Sequence, residues 1–155
     1  MVKRTSHGAA RCPVARPLDA IGDQWSLLIL RDAFEGTTRF SAFQKSLGVS
    51  RNILSVRLRN LVDHGILDTA PAADGGAYQE YRLTEKGRGL FPVLVALRQW
   101  GETYFFAPEE SHVVLVDRKH GLPVRRVEVR SQDGRLLGHE DTAISRIGER
   151  STDTT

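Results

Sequence analysis

The sequence predicts a mainly α fold with a small β component: a helical domain containing one hairpin, followed by a short C-terminal antiparallel β extension. Three observations support this. Apolar residues recur at helical spacing through most of residues 12–106, and a Gly- and Asp-rich turn separates two strand-like runs inside that region. Beyond Pro108, apolar and polar residues alternate. The chain has 155 residues, enough for one compact domain and a small appendage.

Composition limits the classes of protein to consider. No stretch approaches the roughly 18 apolar residues of a membrane helix, and the start MVKRTSHGAARC has no apolar core, so we expect a cytoplasmic protein without a membrane partner. Cys12 is the single cysteine, which excludes an internal disulfide framework and a multi-thiolate metal site. Residues 1–68 hold ten Lys/Arg against six Asp/Glu (+4), and residues 69–155 hold twelve against thirteen (−1). An anionic partner is therefore expected on the first half.

Two helices are predicted at the start of the domain. The first runs from about Pro13 or Pro17 to Ile21 and ends at Gly22, and the second is capped by Asp23. Apolar side chains point nearly all round the second helix, which indicates a scaffold buried on most sides.

A helix-turn-helix is predicted next. Apolar residues at i, i+3 and i+7 in RFSAFQKSL predict a short helix, which a preceding threonine can cap and Gly48 can end. Only Val49 separates Gly48 from Ser50, the N-cap candidate of the following helix. The two helices therefore meet across a tight turn.

The second of these helices, Ser50 to Asp63, has two different faces. At 100° per residue its leucines form a buried stripe, and Asn52, Val56 and Arg59 lie opposite, with Ser55 on the shoulder. Short hydrogen-bonding groups, one apolar contact and a cation suit base edges and phosphates in a major groove. A solvated face without function is the alternative for the helix alone, but the tight turn and the basic half of the chain favour DNA.

A hairpin follows that helix. One strand opens near Leu67, PAADGGA supplies turn chemistry, and a second strand ends at Leu83 before Thr84 caps another helix. A helix-turn-helix followed by a two-stranded hairpin is a winged helix-turn-helix domain. The tip of this wing contains Asp74 but no Arg or Lys, so Arg82 is its nearest cation.

A long apolar stripe runs from Thr84 to Phe106, with Pro92 expected to start or kink the helix. The stripe is too long to be covered by a core of this size, which predicts a second copy packed against it and against the first helix. Coverage by residues 107–155 is the alternative. The predicted dimer contacts are Leu18, Leu94, Leu97, Trp100 and Tyr104.

The ends of the chain differ from this domain. Residues 1–11 are predicted to form a flexible basic arm, and residues 107–148 a small β extension around an HG turn at His120 and a DG turn at Asp133. Residues 149–155 are polar without periodicity, which predicts a disordered tail.

Several motifs in one order carry a family resemblance. CPV, IGDQW, LLILRD, RFSAF, HGIL, EYRLTEKG and LVALRQWG, within residues 12–104, resemble the HxlR-type winged helix-turn-helix transcriptional regulators, relatives of the MarR group. The resemblance implies a homodimer, paired through its first and last helices, that binds a roughly palindromic operator and lies on the nucleoid. It also implies that the recognition helix is Ser50–Asp63, the wing Leu67–Leu83 and the dimer helix Arg88–Phe105.

The candidate DNA contacts fall into two sets. Arg39, Lys45 and Arg57 are expected to position the phosphates, and Arg51, Asn52, Ser55, Val56 and Arg59 to contact bases, with Ser50 and Arg82 as further candidates. A winged helix used only for protein contact is the alternative function. The short polar and basic side chains suit phosphates and bases better than a protein hot spot, which would favour aromatics.

Regulation has two candidates in the sequence. Cys12 occupies the family's cysteine before a PV dipeptide, a position that the resemblance links in some members to sensing of oxidants or electrophiles. Arg11 and a helix N-terminus would stabilise its thiolate, and the alternative is a small apolar residue at the dimer interface. Trp25 and Trp100 are candidates to line a pocket for a small-molecule effector, or are plain core.

No metal, cofactor or enzymatic activity is predicted. The turns at His120 and Asp133 look like zinc-ribbon knuckles, but they lack the thiolates or clustered imidazoles that zinc needs. None of the five histidines pairs with Ser or Cys in a motif that would order a nucleophile.

Overall fold

The structure, a computed structural model, describes residues 5–145 and divides the chain into two compact units, residues 1–98 and 99–155. In chain order the elements are α1 Ala15–Ile21, α2 Gln24–Phe34, α3 Phe40–Leu47, α4 Arg51–Asp63, β1 Leu67–Pro71, β2 Gln79–Leu83, α5 Glu85–Arg88 and α6 Phe91–Tyr104. A 3-10 turn, His139–Asp141, follows in the second unit. The mainly α prediction with a small β component is confirmed.

Three predicted helix caps are confirmed. Asp23 accepts hydrogen bonds from the backbone N–H groups of Trp25 and Ser26, both at 2.9 Å. Ser50 accepts from the third residue of its own helix at 3.3 Å, and Thr84 from the third residue of α5 at 3.0 Å. Each cap satisfies an N–H group that the first helical turn leaves without a partner, which fixes where α2, α4 and α5 begin.

The predicted threonine cap of α3 is wrong. Arg39 is the N-cap residue, and it makes no side-chain cap hydrogen bond. The reason is tertiary: the carbonyl of Thr38 accepts a hydrogen bond from the N–H of Tyr81 at 2.7 Å, and Arg39 forms an antiparallel bridge with Glu80. The segment before α3 is therefore extended along β2, so the start of the helix-turn-helix is attached to the wing.

The core of the first unit lies between α2, α3, α4 and β1. The predicted leucine stripe of α4 is confirmed, because Leu54, Leu58 and Leu61 are completely buried. They pack with buried side chains of α2 and α3, among them Ile29 and Phe43. Burial of this stripe leaves only the opposite face of α4 for solvent or a partner.

The turn between α3 and α4 has the geometry that the sequence predicts. Gly48 ends α3 with φ at 61°, in the left-handed region that glycine adopts without strain, and its N–H donates to the carbonyl of Gln44 at 3.0 Å. Val49 is buried, which anchors the turn to the core.

The wing is a two-stranded antiparallel sheet in the middle of the chain. Leu67 lies opposite Leu83 at its base, and Pro71 lies opposite Gln79 at its outer end. Together with α1 to α4, this sheet gives a winged-helix arrangement.

The predicted single helix from Thr84 is divided into α5 and α6. A turn at Gly89 and Leu90 separates them, and α6 begins at Phe91 with Pro92 as its second residue. Proline has no N–H to donate and is accommodated in the first turn of a helix, so it marks a new start rather than a kink.

The predicted C-terminal β extension is reduced to two isolated bridges within residues 107–145. Val116 pairs with Pro123 and Arg130 with Leu136, each around one of the two predicted turns. The alternating valines and leucines of this region are largely exposed; Val129, for example, is 61 % exposed. Without a covering layer the alternation gives no regular strand there.

Some predictions lie outside the described residues. They concern residues 1–4 of the predicted arm, residues 146–148 of the extension and the tail at 149–155. For residues 5–145, no helix has both the length and the apolar character needed to cross a bilayer.

Candidate nucleic-acid interface

The outward face of α4 brings the predicted base-contacting residues together. Arg51, Asn52, Val56 and Arg59 are exposed, and Ser55 is half-buried at the edge of the face. The first turn of α4 contains no acidic residue. The face therefore offers an amide, a hydroxyl, an apolar contact and two cations, next to the positive end of the helix dipole.

The guanidinium of Arg51 is held at the junction of the two helices. Its central carbon lies 5.0 Å from the ring centroid of Phe40 in the first turn of α3, a cation–π distance. Lys45, near the end of α3, is exposed. Within residues 5–145, neither these two cations nor Arg59 has a carboxylate partner, so all three are available to an anion.

The structure does not place Arg57 as predicted. Its Nε lies 3.4 Å from Oδ1 of Asp23, the capping residue of α2, and only 28 % of its side chain is exposed. Arg57 lies beside the leucine stripe of α4, and its side chain extends to the start of α2 instead of toward solvent on the outward face. Arg57 neutralises a half-buried carboxylate, and we do not include it among the DNA contacts.

Arg39 is also engaged within the protein. Its Nη2 lies 2.5 Å from Oδ2 of Asp74 at the wing tip, and its guanidinium lies 4.6 Å above the centroid of the Tyr78 ring. Sequence reasoning identified both charged residues but missed their pairing, because 35 positions separate them and no local pattern connects them.

Asp74 is the centre of a small network at the wing tip. The hydroxyl of Tyr78 donates to its carboxylate at 2.7 Å and the N–H of Gly76 at 3.0 Å, in addition to the guanidinium of Arg39. These three donors, in that order of effect, lower the pKa of Asp74 from 3.8 to about 2. Asp74 is therefore ionised at neutral pH, and its ion pair with Arg39 joins the wing tip to the start of α3.

Arg82 is half-engaged in the wing. Its Nη2 donates to Oε2 of Glu80 at 3.0 Å, while 47 % of its side chain remains exposed. The carboxylate of Glu80 is buried, so its pairing with Arg82 compensates a charge that would otherwise be costly. Arg82 stays a candidate for a backbone contact.

Cys12 lies just before α1 and is exposed. The backbone N–H groups of Ala15 and Val14 hydrogen-bond to its sulfur and lower the pKa of the thiol below 9.0. Both N–H groups lie at the start of α1, the helix N-terminus that the prediction named beside Arg11, and the guanidinium of Arg11 is not among the groups that lower this pKa.

Most of the predicted dimer residues are apolar side chains that the single chain leaves exposed. Leu18 is 45 % exposed, Leu97 43 %, Trp100 53 % and Tyr104 71 %, whereas Leu94 is half-buried. The ring of Trp100 packs against those of Tyr104 and Phe105, with centroids 5.8 and 5.1 Å away.

The predicted effector pocket at Trp25 and Trp100 stays a prediction. Trp25 is partly buried and packs against the core of the first unit, whereas Trp100 is half-exposed in the second. No group of three or more His, Cys, Asp or Glu side chains within residues 5–145 is placed to hold a metal ion.

Comparisons with known proteins agree with this geometry. An HTH-type transcriptional regulator of Mycobacterium tuberculosis, Rv3095, is 45 % identical over 114 residues, which cover 74 % of this chain and 72 % of that protein. The crystal structure of PA1607, described as a candidate transcription factor, is 66 % identical with a TM-score of 0.89, covering 92 % of this chain and 99 % of that one. The redox regulator HypR in its oxidized form is 31 % identical with a TM-score of 0.56, covering 62 % of this chain and all of that one. Residues 20–109 match the HxlR-like helix-turn-helix family, and the chain therefore belongs to that family.

Proposed function

We propose that this HTH-type transcriptional regulator binds a specific operator as a homodimer, with α4 of each protomer in the major groove. The observation that carries the proposal is the outward face of α4, where Arg51, Asn52, Val56 and Arg59 are exposed together and no carboxylate of residues 5–145 is paired with the two cations. A helix that turns leucines inward and hydrogen-bonding side chains outward, after a tight turn, has the arrangement of a recognition helix.

Each side chain on this face has a role in the proposal. Asn52 and Arg59 make bidentate bonds to adenine and guanine edges, and Val56 contacts a thymine methyl group. Arg51 and Ser55 complete the base contacts.

Other groups position the duplex through its phosphates. Lys45 contributes a cation from α3, Arg82 one from the wing, and Ser50 marks the N-terminus of α4, where backbone N–H groups favour an anion.

Two predicted cations are left out. Arg39 is held by both the carboxylate of Asp74 and the ring of Tyr78. Arg57 reaches across to Asp23, with only 28 % of its side chain exposed.

The homodimer is supported by the exposed apolar surface of α6. Leu97, Trp100 and Tyr104 lie at i, i+3 and i+7 and are all exposed, and Leu18 adds a further exposed apolar side chain on α1. An apolar surface of this kind on a single chain is typical of a protein interface. A two-fold symmetric pair presents two recognition helices to half-sites about 34 Å apart, one turn of DNA.

A redox response is the form of regulation that we propose for this dimer. It is supported by the exposed thiol of Cys12, whose pKa is lowered, and by the similarity to the redox regulator HypR. The alternative is that Cys12 is only a small apolar residue at the dimer interface, in which case oxidation leaves operator affinity unchanged.

Selection of bound duplexes from a random DNA pool tests the proposal directly. We expect a two-fold symmetric consensus sequence whose affinity falls steeply with salt, because phosphate contacts release counterions. The Asn52→Ala/Arg59→Ala double variant should lose the consensus, and Arg118→Ala, a charge change outside the proposed interface, should keep it. A wild-type protein that retains no duplex at low salt would support the alternative, a winged helix that contacts only proteins.

A further inference from the structure

We propose that the first unit contains a binding site for a small organic carboxylate with an apolar body. The site is an open cavity of about 530 Å³ at the C-terminal end of α4, bordered by α1, the residues that follow α4, α5 and the link between α5 and α6. This volume lies within the range of small-molecule sites in proteins. Neither Trp25 nor Trp100 lines the cavity, so the site differs from the effector pocket that the sequence predicts.

The inner wall of the cavity is apolar. Ala20 and Ile21 of α1 and Ile66, which precedes β1, are buried residues that line it, and Leu90 adds a half-buried side chain. An aromatic or branched hydrocarbon gains free energy when it leaves water for such a surface, at roughly 25 cal/mol per Å² of apolar area. The body of the ligand is therefore expected to be apolar.

The charged residues among the lining are two cations and one carboxylate. Arg16 and Lys86 supply two cations, and His64 adds an imidazole. The acidic residue of the lining, Asp19, already accepts hydrogen bonds from the hydroxyl of Ser6 at 2.9 Å and from the N–H of His7 at 2.9 Å. A ligand carboxylate thus meets an excess of positive charge beside the apolar wall, and this selects an acid over a neutral analogue.

The ammonium group of Lys86 connects the cavity to the recognition helix. Its Nζ donates to the carbonyl oxygen of His64, the C-cap residue of α4, at 2.6 Å. An ammonium has three donors, so Lys86 is able to hold a ligand carboxylate as well as this carbonyl. A ligand carboxylate bound to Lys86 therefore shares the ammonium group that hydrogen-bonds the C-cap carbonyl of α4. A ligand at this site can thus act on the recognition helix as an effector. This consequence, unlike the site itself, rests on the proposed function.

Calorimetric titration of the full chain with 1-naphthoate, in the absence of DNA, tests the site. We expect saturable binding of one naphthoate per chain and a loss of at least tenfold in affinity for Lys86→Gln and for Arg16→Gln. Lys119→Gln removes the same charge outside the cavity and should bind as the wild type does. The neutral analogue 1-naphthamide should bind more weakly and should not distinguish Lys86→Gln from the wild type.

Three results would overturn the site: no naphthoate binding by the wild type, equal binding of acid and amide, or unchanged affinity in both charge variants. Two variants are needed because the loss of Lys86 also removes a bond at the end of α4; Arg16→Gln leaves that bond intact. The result is independent of DNA binding. Protein that binds naphthoate but no duplex would refute the proposed function, and the proposed site would stand. Protein that binds duplex but no naphthoate would refute the site, and the proposed function would stand.

Discussion

Asp74 at the tip of the wing binds Arg39 at the start of α3, with 2.5 Å between Oδ2 and Nη2. The two side chains are 52 % and 44 % exposed, so this ion pair competes with water and salt, and equally with a DNA phosphate. A DNA phosphate must therefore displace Asp74 before it can bind Arg39 at the edge of the helix-turn-helix.

The Asp74→Asn variant should bind DNA of any sequence more tightly than the wild type at low salt. Removal of the carboxylate frees Arg39 for one more phosphate, which increases the steepness of log Kd against log salt by about 0.9. The measurement is a salt titration of duplex binding by fluorescence anisotropy.

Two further variants separate this contact from a general charge effect. Asp133→Asn removes an exposed, arginine-paired carboxylate in the second unit and should leave the slope at the wild-type value. Adding Arg39→Gln to Asp74→Asn should restore the wild-type slope. An Asp74→Asn slope equal to that of the wild type would show that Arg39 already contacts phosphate despite its partner.

The titration of Asp74 tests the wing-tip network itself. Its pKa of about 2 depends most on the hydroxyl of Tyr78, next on the N–H of Gly76 and then on Arg39. Tyr78→Phe should therefore raise the pKa toward 3.8 more than Arg39→Gln does, as measured by carboxyl-carbon NMR. Because the folded pKa is lowered, the stabilisation by the ionised carboxylate is fully present above about pH 4 and is lost as the pH falls toward 2. A wild-type midpoint near 3.8 would contradict the network.

Base contacts by α4 predict a selective effect of truncation. Asn52→Ala and Arg59→Ala should each reduce the preference for the consensus over a single-base variant by roughly 1–3 kcal/mol, because each removes a bidentate pair. Lys45→Ala should weaken all duplexes alike, since a phosphate contact carries no sequence information. Competition binding with consensus and substituted duplexes distinguishes the two patterns, and a uniform loss in the Asn52 variant would exclude a base contact there.

Local sequence signals were sufficient for most of the helix-turn-helix and for the starts of α2 and α5. The caps at Asp23, Ser50 and Thr84, the left-handed Gly48 and the leucine stripe each depend on neighbours within a few positions, and all are present in the structure. Such features follow from hydrogen bonding and periodicity within single elements.

The features that the sequence did not predict correctly depend on contacts between segments far apart in the chain. Arg57 has the spacing of an exposed cation but pairs with Asp23, 34 positions earlier. Arg39, not a threonine, stands at the N-cap position of α3, because the preceding segment is extended along β2. No periodicity indicates which of several arginines finds an internal carboxylate. The cavity beside Lys86 was missed for the same reason, since it depends on how α1 and α5 meet the end of α4.

The exposed side chains of α6 predict that dimerisation depends on them. Trp100→Glu should raise the dissociation constant of the dimer by roughly 10-fold to 100-fold. Burying a large apolar side chain contributes about 1.5–3 kcal/mol, and a charge in its place opposes burial. Sedimentation equilibrium measures the change. Val129→Glu, at another exposed apolar position outside the predicted interface, should leave the dimer intact. A monomeric wild type would refute the interface altogether.

Cys12 should react as a thiolate at lower pH than an ordinary cysteine. The N–H groups of Ala15 and Val14 lower its pKa below 9.0, and the side chain is exposed, so the rate of alkylation by iodoacetamide should reach half its plateau below that pH. Cys12→Ser is the blank, because the chain has no other cysteine. If Cys12 is a redox sensor, mild peroxide should lower operator affinity in the wild type but not in Cys12→Ser, and a thiol reductant should restore it. Fast alkylation with unchanged operator binding after oxidation would leave a reactive thiol without a regulatory role.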